Sequence, residues 1–166
     1  MSTPYLTATG APAAFAEPQR AVTAKWITAF AAAWLGVWMA QLGPFQVLLP
    51  LQVAEGTGID VDAKEWIPAV LAFGTISGIA GACAIVAFPL TGFLSDRTTS
   101  RFGRRRPWIV GGALLFALAL VGLGLVHDIV AVAVLWSLAI VGFCVLASSL
   151  TALISDLVPV RQRGFV

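Results

Sequence analysis

Gly92-Phe93-Leu94-Ser95-Asp96-Arg97-Thr98-Thr99-Ser100-Arg101-Phe102-Gly103-Arg104-Arg105-Arg106-Pro107 separates two long apolar stretches and holds five of the chain's ten basic residues. The composition on either side of it decides the class. With 59% hydrophobic and 11% charged residues and a mean hydropathy of +0.92, a 166-residue chain cannot hide its apolar surface in a water-soluble globule. Four windows carry no charge at all: Trp26 to Ala54, Trp66 to Ser95, Pro107 to Val126 and Ile129 to Ser155. Each reaches the ~20 residues that a helix needs to cross ~30 Å of hydrocarbon. A backbone in lipid must satisfy its own hydrogen bonds, and these runs lack strand-like alternation, so the windows read as helices. Buried helices of a soluble bundle would need polar faces, which are missing.

The expectation is an all-α membrane protein with spans at about 26–53, 66–95, 107–126 and 129–157. Residues 1–25 are rich in Ala, Thr and Pro and read as a disordered tail, and residues 158–166 begin a loop. A secretory signal does not fit, because the first apolar run is too long and too far from the start. Cytoplasmic loops collect Lys and Arg. Arg20, Lys25, the five arginines from Arg97 to Arg106, Arg161 and Arg163 fall on one side if the spans alternate, leaving only Lys64 on the other. That side, with both chain ends, is expected in the cytoplasm of a cell membrane, plasma or inner. Trp26, Trp66 and Trp108 stand at span ends, where an amphipathic ring suits the headgroup level.

In the second span, Gly74, Gly78, Gly81 and Gly92 share one narrow sector of an ideal helix. Such a stripe admits a neighbouring helix in lipid, although glycine is also a general component of membrane helices. Asp96 ends this span, and a carboxylate there opposes its own helix dipole. It needs an arginine or another helix N-terminus as partner. Gly103 breaks the local chain, and Pro107 suits the first turn of the third span.

The pattern Gly92-x-x-x-Asp96-Arg97, followed by Gly103-Arg104-Arg105, resembles the signature between spans 2 and 3 of the major facilitator superfamily. The longer gap, Thr98 to Phe102, is similar to the branch of sucrose transporters and glycoside-pentoside-hexuronide symporters. Gln41-Leu42-Gly43-Pro44 also resembles a Pro-containing stretch of that branch. The resemblance implies a gating latch on the cytoplasmic side. Asp96 would accept hydrogen bonds from Arg97 or Arg101, Gly92 would permit the contact, and Gly103, Arg104 and Arg105 would complete the motif. Asp156, beside Pro159, Arg161 and Arg163, resembles the acidic member of the same relay; its alternative is a plain helix end at the headgroups. The arginines also suit anionic lipid at ~1 kcal/mol each. A nucleic-acid partner does not suit a short loop pinned by helices at both ends.

The resemblance further implies two six-helix halves that rock about a midplane site. The chain reaches only into the first half, so the remaining transporter helices are expected outside it, with the 166 residues a fragment or truncated product that does not transport alone. The solute is expected to be a sugar or similar small molecule, moved with a coupling cation. Gln41 and Gln46 are the foremost cavity candidates, with Thr75, Ser148 and Thr151 behind them; Ser77, Ser137 and Ser149 are also mid-span. The two glutamines lie about 140° apart on a regular helix, so both face one cavity only if Pro44 distorts the span. Hydroxyls in membrane helices commonly bond their own backbone instead. The spans hold no carboxylate or amine for coupling, and Thr151 stands where plant sucrose carriers have an arginine, which counts against sucrose itself and proton coupling.

No enzyme is expected. Cys83 and Cys144 sit in apolar runs as small hydrophobes, with no metal-ligand spacing. Gly122-Leu123-Gly124 lies within a helix and lacks a dinucleotide-site pattern, so no cofactor is implied. His127 beside Asp128 reads as a solvated loop residue rather than a pH sensor. A self-contained four-helix protein remains open, either a dimer like small multidrug exporters or a non-transporting module. The exporter form would need an intramembrane carboxylate, whereas Glu17, Glu55 and Glu65 lie outside the spans.

Overall fold

A computed structural model describes residues 21–58, 66–100 and 103–165. Helix α1 (Ala24–Gly43), a π-helical segment (Pro44–Leu48) and α2 (Leu49–Thr57) run end to end as the first span. They are followed by α3 (Trp66–Arg97), α4 (Arg106–Leu123), α5 (Ile129–Leu157) and a short 3-10 helix (Val160–Phe165). Four helices are long and apolar enough to cross a membrane, and no strand occurs among the described residues. The chain is an all-α, multi-pass membrane protein. Most of the expected tail lies outside the described residues, but Ala24 and Lys25 are already helical because Thr23 caps α1, its hydroxyl accepting from the Trp26 amide.

Pro44 has no amide hydrogen to donate back along α1, and the helix widens there into five π-helical residues. The distortion that the two glutamines require is therefore present. Pro50 then lies in the first turn of α2, where a missing donor costs nothing, and Gly58 closes α2 in the left-handed conformation at φ 66°.

Helix α5 is the hub, packing most extensively against α4 and then α3. At the α4–α5 crossing the backbones nearly touch. A Cβ on Gly142 would stand 2.6 Å from the Phe116 amide nitrogen, and one on Gly112 would stand 2.7 Å from that of Leu146. The second-span stripe behaves differently: Gly74, Gly78 and Gly81 have nothing within 4 Å of a built Cβ. Helix α3 instead turns its Ile76 and Ala80 face, about half a turn away, into the core with Trp136, Val132 and Leu123. Leu35, Met39, Ile85, Leu114, Leu118 and Leu125 point outward. Apolar residues exposed on all sides match a hydrocarbon surround rather than water.

At the end opposite the arginines, α2 supplies the best-buried part of the first span, with Leu49 and Val53 fully enclosed. Gln52 reaches across from it. Its amide nitrogen donates to the carbonyls of Leu123 at 2.6 Å and Val126 at 3.3 Å, satisfying acceptors that the end of α4 leaves unpaired. Gly56 lies close to the His127 carbonyl. Asp128 caps α5 by accepting from the Ala131 amide at 2.9 Å, while His127 is exposed.

Candidate functional site

Three helix ends converge where the Arg-rich loop leaves α3 and enters α4. Asp96 and Asp156 sit at the C-terminal ends of α3 and α5, and Arg104 and Arg105 precede the N-terminus of α4. Every one of these charges opposes the dipole of its own helix. Each is satisfied by a charge from another helix end instead.

Arg105 is the centre, with its side chain 8% exposed. Its guanidinium contacts Asp96 at 2.5 Å and Asp156 at 3.0 Å and donates to the Ser95 hydroxyl at 2.6 Å. Arg104 donates to Asp156 at 3.2 Å and lies 3.8 Å from Asp96. Gly103, at φ 99°, adopts a left-handed turn that side-chain-bearing residues rarely tolerate. That turn lets consecutive arginines rise beneath both carboxylates. Ser95 is fully buried and donates its own hydrogen bond to the Gly92 carbonyl at 3.0 Å. Trp108 braces the corner by donating to the Thr98 hydroxyl at 2.9 Å, and Thr98 donates to Leu94.

The expected Asp96–Arg97 pairing is not formed. Neighbours on a helix point about 100° apart, so Arg97 cannot face the carboxylate beside it. It folds back over the Phe93 ring, 4.0 Å from the centroid. Arg101, the other expected partner, lies outside the described residues. Gly92 faces α5, but a Cβ there would meet the Ser148 hydroxyl at an ordinary 3.8 Å, so no close approach depends on it. Ser95 was not singled out in the sequence. Its only signal is its place one residue before Asp96 on the buried side of α3.

A second feature lies between the first, second and fourth spans, a cavity of about 360 Å³ that Gln41 lines together with Ser77. Gln46 does not join them. Despite the π segment, Gln46 is exposed while Gln41 is buried, so the two stay on separate faces as on a regular helix. Thr75 and Thr151 are exposed and bond their own backbones at Leu71 and Ala147, and Ser137 does the same at Ala133. Ser148 is buried, as is Ser149, whose hydroxyl has no partner. Gln52, near the end of the first span, is not among the candidates the sequence offers. Among the described residues, no cluster of His, Cys, Asp and Glu could hold a metal.

Comparison with known proteins places these features. The chain is 50% identical over 52 residues to an uncharacterized symporter of Synechocystis, which is 31% of this chain and 9% of the relative. It is 38% identical over 64 residues to a sucrose transport protein of Arabidopsis thaliana, 39% of this chain and 11% of the relative. An inner membrane symporter of Escherichia coli is 44% identical over 48 residues, 29% of this chain and 10% of the relative. The matches thus span about a tenth of each relative's length. No solved structure matches the chain. The Major Facilitator Superfamily model matches residues 27–166, all four apolar spans and the charged corner included, and the chain belongs to that family.

Proposed function

We propose that the chain forms part of the first half of a secondary transporter that carries a sugar or similar small polar solute by alternating access. The observation that carries this reading is the ion cluster of Asp96, Arg104, Arg105 and Asp156. It joins three helix ends of one body and leaves the Asp96 side chain 57% exposed. That carboxylate is available to a second body, which makes Asp96, Arg104, Arg105 and Asp156 a gating latch; Ser95 and Gly103 position it. Arg97 acts at the rim. Rocking needs two bodies, so this four-helix unit does not transport alone and works with further helices that cover its open apolar faces. Relatives named as sucrose transport proteins and a general alpha-glucoside permease of Schizosaccharomyces pombe support a sugar-like solute. Relatives named as symporters support a coupling cation. The spans described here carry no carboxylate or amine away from their ends, so coupling belongs to other helices. The Arg-rich end faces the cytoplasm of a plasma or inner membrane. The activity is transport rather than catalysis.

Uptake of labelled sucrose and methyl α-glucoside by membranes in which the chain is joined to its further helices tests the reading, the chain alone being expected to give none. Asp156→Asn is expected to lower uptake about tenfold at equal membrane abundance, as loss of a coupling free energy of ~1.4 kcal/mol would do. Uptake equal to wild type removes the latch, and wild-type membranes that take up neither sugar remove the solute.

A further inference from the structure

We propose that Gln41 and Ser77 form a polar anchor for a neutral, hydroxyl-bearing ligand in the cavity between the first, second and fourth spans. The step rests on the solute reading above and assigns it to named atoms. Gln41 is 8% exposed, and its side-chain oxygen has no hydrogen-bond partner; Ser77 is half-buried, with its hydroxyl oxygen enclosed and unpaired. Both residues line the same cavity of about 360 Å³, a volume within the range of small-molecule sites, ~300–1,000 Å³.

Unpaired polar atoms in a dry interior are costly, and native proteins leave few of them. The neighbouring hydroxyls show the usual solution: Thr75, Ser137 and Thr151 each donate to a carbonyl one turn back. Ser77 does not. Gln52 also has an unpaired oxygen, but its amide nitrogen is committed to α4. Gln41 and Ser77 therefore keep unspent hydrogen-bonding capacity beside one cavity. Their oxygens are shielded from solvent in this conformation. The terminal torsion of a glutamine is broad, so a turn about it brings the amide to a ligand without moving the helix.

The rest of the cavity fixes the ligand's chemistry. Trp38, Phe45, Trp136 and Phe143 line it, and among the described residues no charged side chain does. Phe45 stacks on Trp136 at 5.8 Å, and Trp38 meets Phe143 edge-on at 5.5 Å. An ionic ligand would find no counter-charge here. A sugar ring presents a C–H face to an aromatic wall and hydroxyls to Gln41 and Ser77, matching both surfaces.

The purified full chain in lipid nanodiscs, titrated with methyl α-glucoside, gives the test. Trp38 and Trp136 line the cavity, so tryptophan fluorescence reads occupancy directly. A saturable change is expected, and Gln41→Ala and Ser77→Ala should each weaken binding about three- to tenfold, the worth of one hydrogen bond. Gln46→Ala, on the exposed face, should bind as wild type, and anionic methyl glucuronide should bind more weakly than the glucoside. Ser77→Ala removes a single oxygen and leaves packing intact, so its result holds even if Gln41→Ala unfolds. Wild-type affinity in both variants, or no wild-type signal, overturns the anchor. Uptake measured in parallel with the chain joined to its further helices separates the two readings: binding lost in both variants without any wild-type uptake overturns transport alone, and uptake unchanged in both variants overturns the anchor alone.

Discussion

At the Arg-rich end three helix termini are joined by Arg104, Arg105, Asp96 and Asp156, whereas at the opposite end α2 is tied to α4 by the neutral amide of Gln52. The ionic joint is a compact network around one buried guanidinium, and its outer carboxylate is more than half exposed. The amide joint is buried and spends its donor on helix-end carbonyls. Ion pairs at a wet edge can be exchanged for other charges or for water at small net cost. A buried amide on orphan carbonyls has no such substitute. One end of the bundle thus has a joint that can change partners and the other a joint that holds still, a pairing that the proposed rocking would use.

The largest break in this contrast is expected from Arg105→Ala. It leaves Asp156 with Arg104 alone and removes the donor to the Ser95 hydroxyl, which should cost ~3 kcal/mol, the upper end for hydrogen bonds to charged groups; thermal unfolding in detergent measures it. Arg105→Lys keeps the charge but loses the forked geometry that serves three acceptors, so it should recover only part of the loss. Next comes the crossing that links the two ends. Gly142→Ala drives a methyl into the Phe116 backbone and should cost roughly 1–3 kcal/mol, while Gly78→Ala, with nothing within 4 Å, should leave the melting temperature unchanged. Equal effects at the two glycines would remove the distinction between locked and open helix faces. Gln52→Ala should cost about 1–2 kcal/mol and, unlike Arg105→Ala, should not depend on salt. The smallest effect belongs to Arg97→Ala, about 0.5–1 kcal/mol for an exposed cation over a ring. A larger loss there would return Arg97 to the ionic network.

The spans were legible because hydrocarbon imposes length and apolarity residue by residue, and the charged corner was legible because its motif is long. Which arginine grips Asp96 was partly legible: adjacency on a helix already excludes Arg97, yet the choice of Arg105 depends on the left-handed turn at Gly103, whose angle no composition reveals. The cavity candidates divided for a similar reason. Gln41 and Gln46 look equivalent as residue types, but they lie about 140° apart on a helix, and the π segment at Pro44–Leu48 does not bring them onto one face. Ser95 and Gln52 were missed because an uncharged polar residue near a span end is ordinary until its partner across space is known. Of the α3 glycines read as one stripe, Gly74, Gly78 and Gly81 share an open face while Gly92 faces α5, and the intimate glycine contact belongs to Gly112 and Gly142.

The order of residues around Arg105 also bears on how the chain is made. Asp96 emerges from the ribosome before Arg105, but Asp156 follows it by 51 residues. Segments fold in the order of synthesis, so α4 enters the bilayer with only one of its two carboxylates in place. The corner is completed when α5 arrives, and until then a guanidinium destined for burial faces the headgroups. A nascent chain halted before Asp156 would present this end of the protein as an open, basic surface.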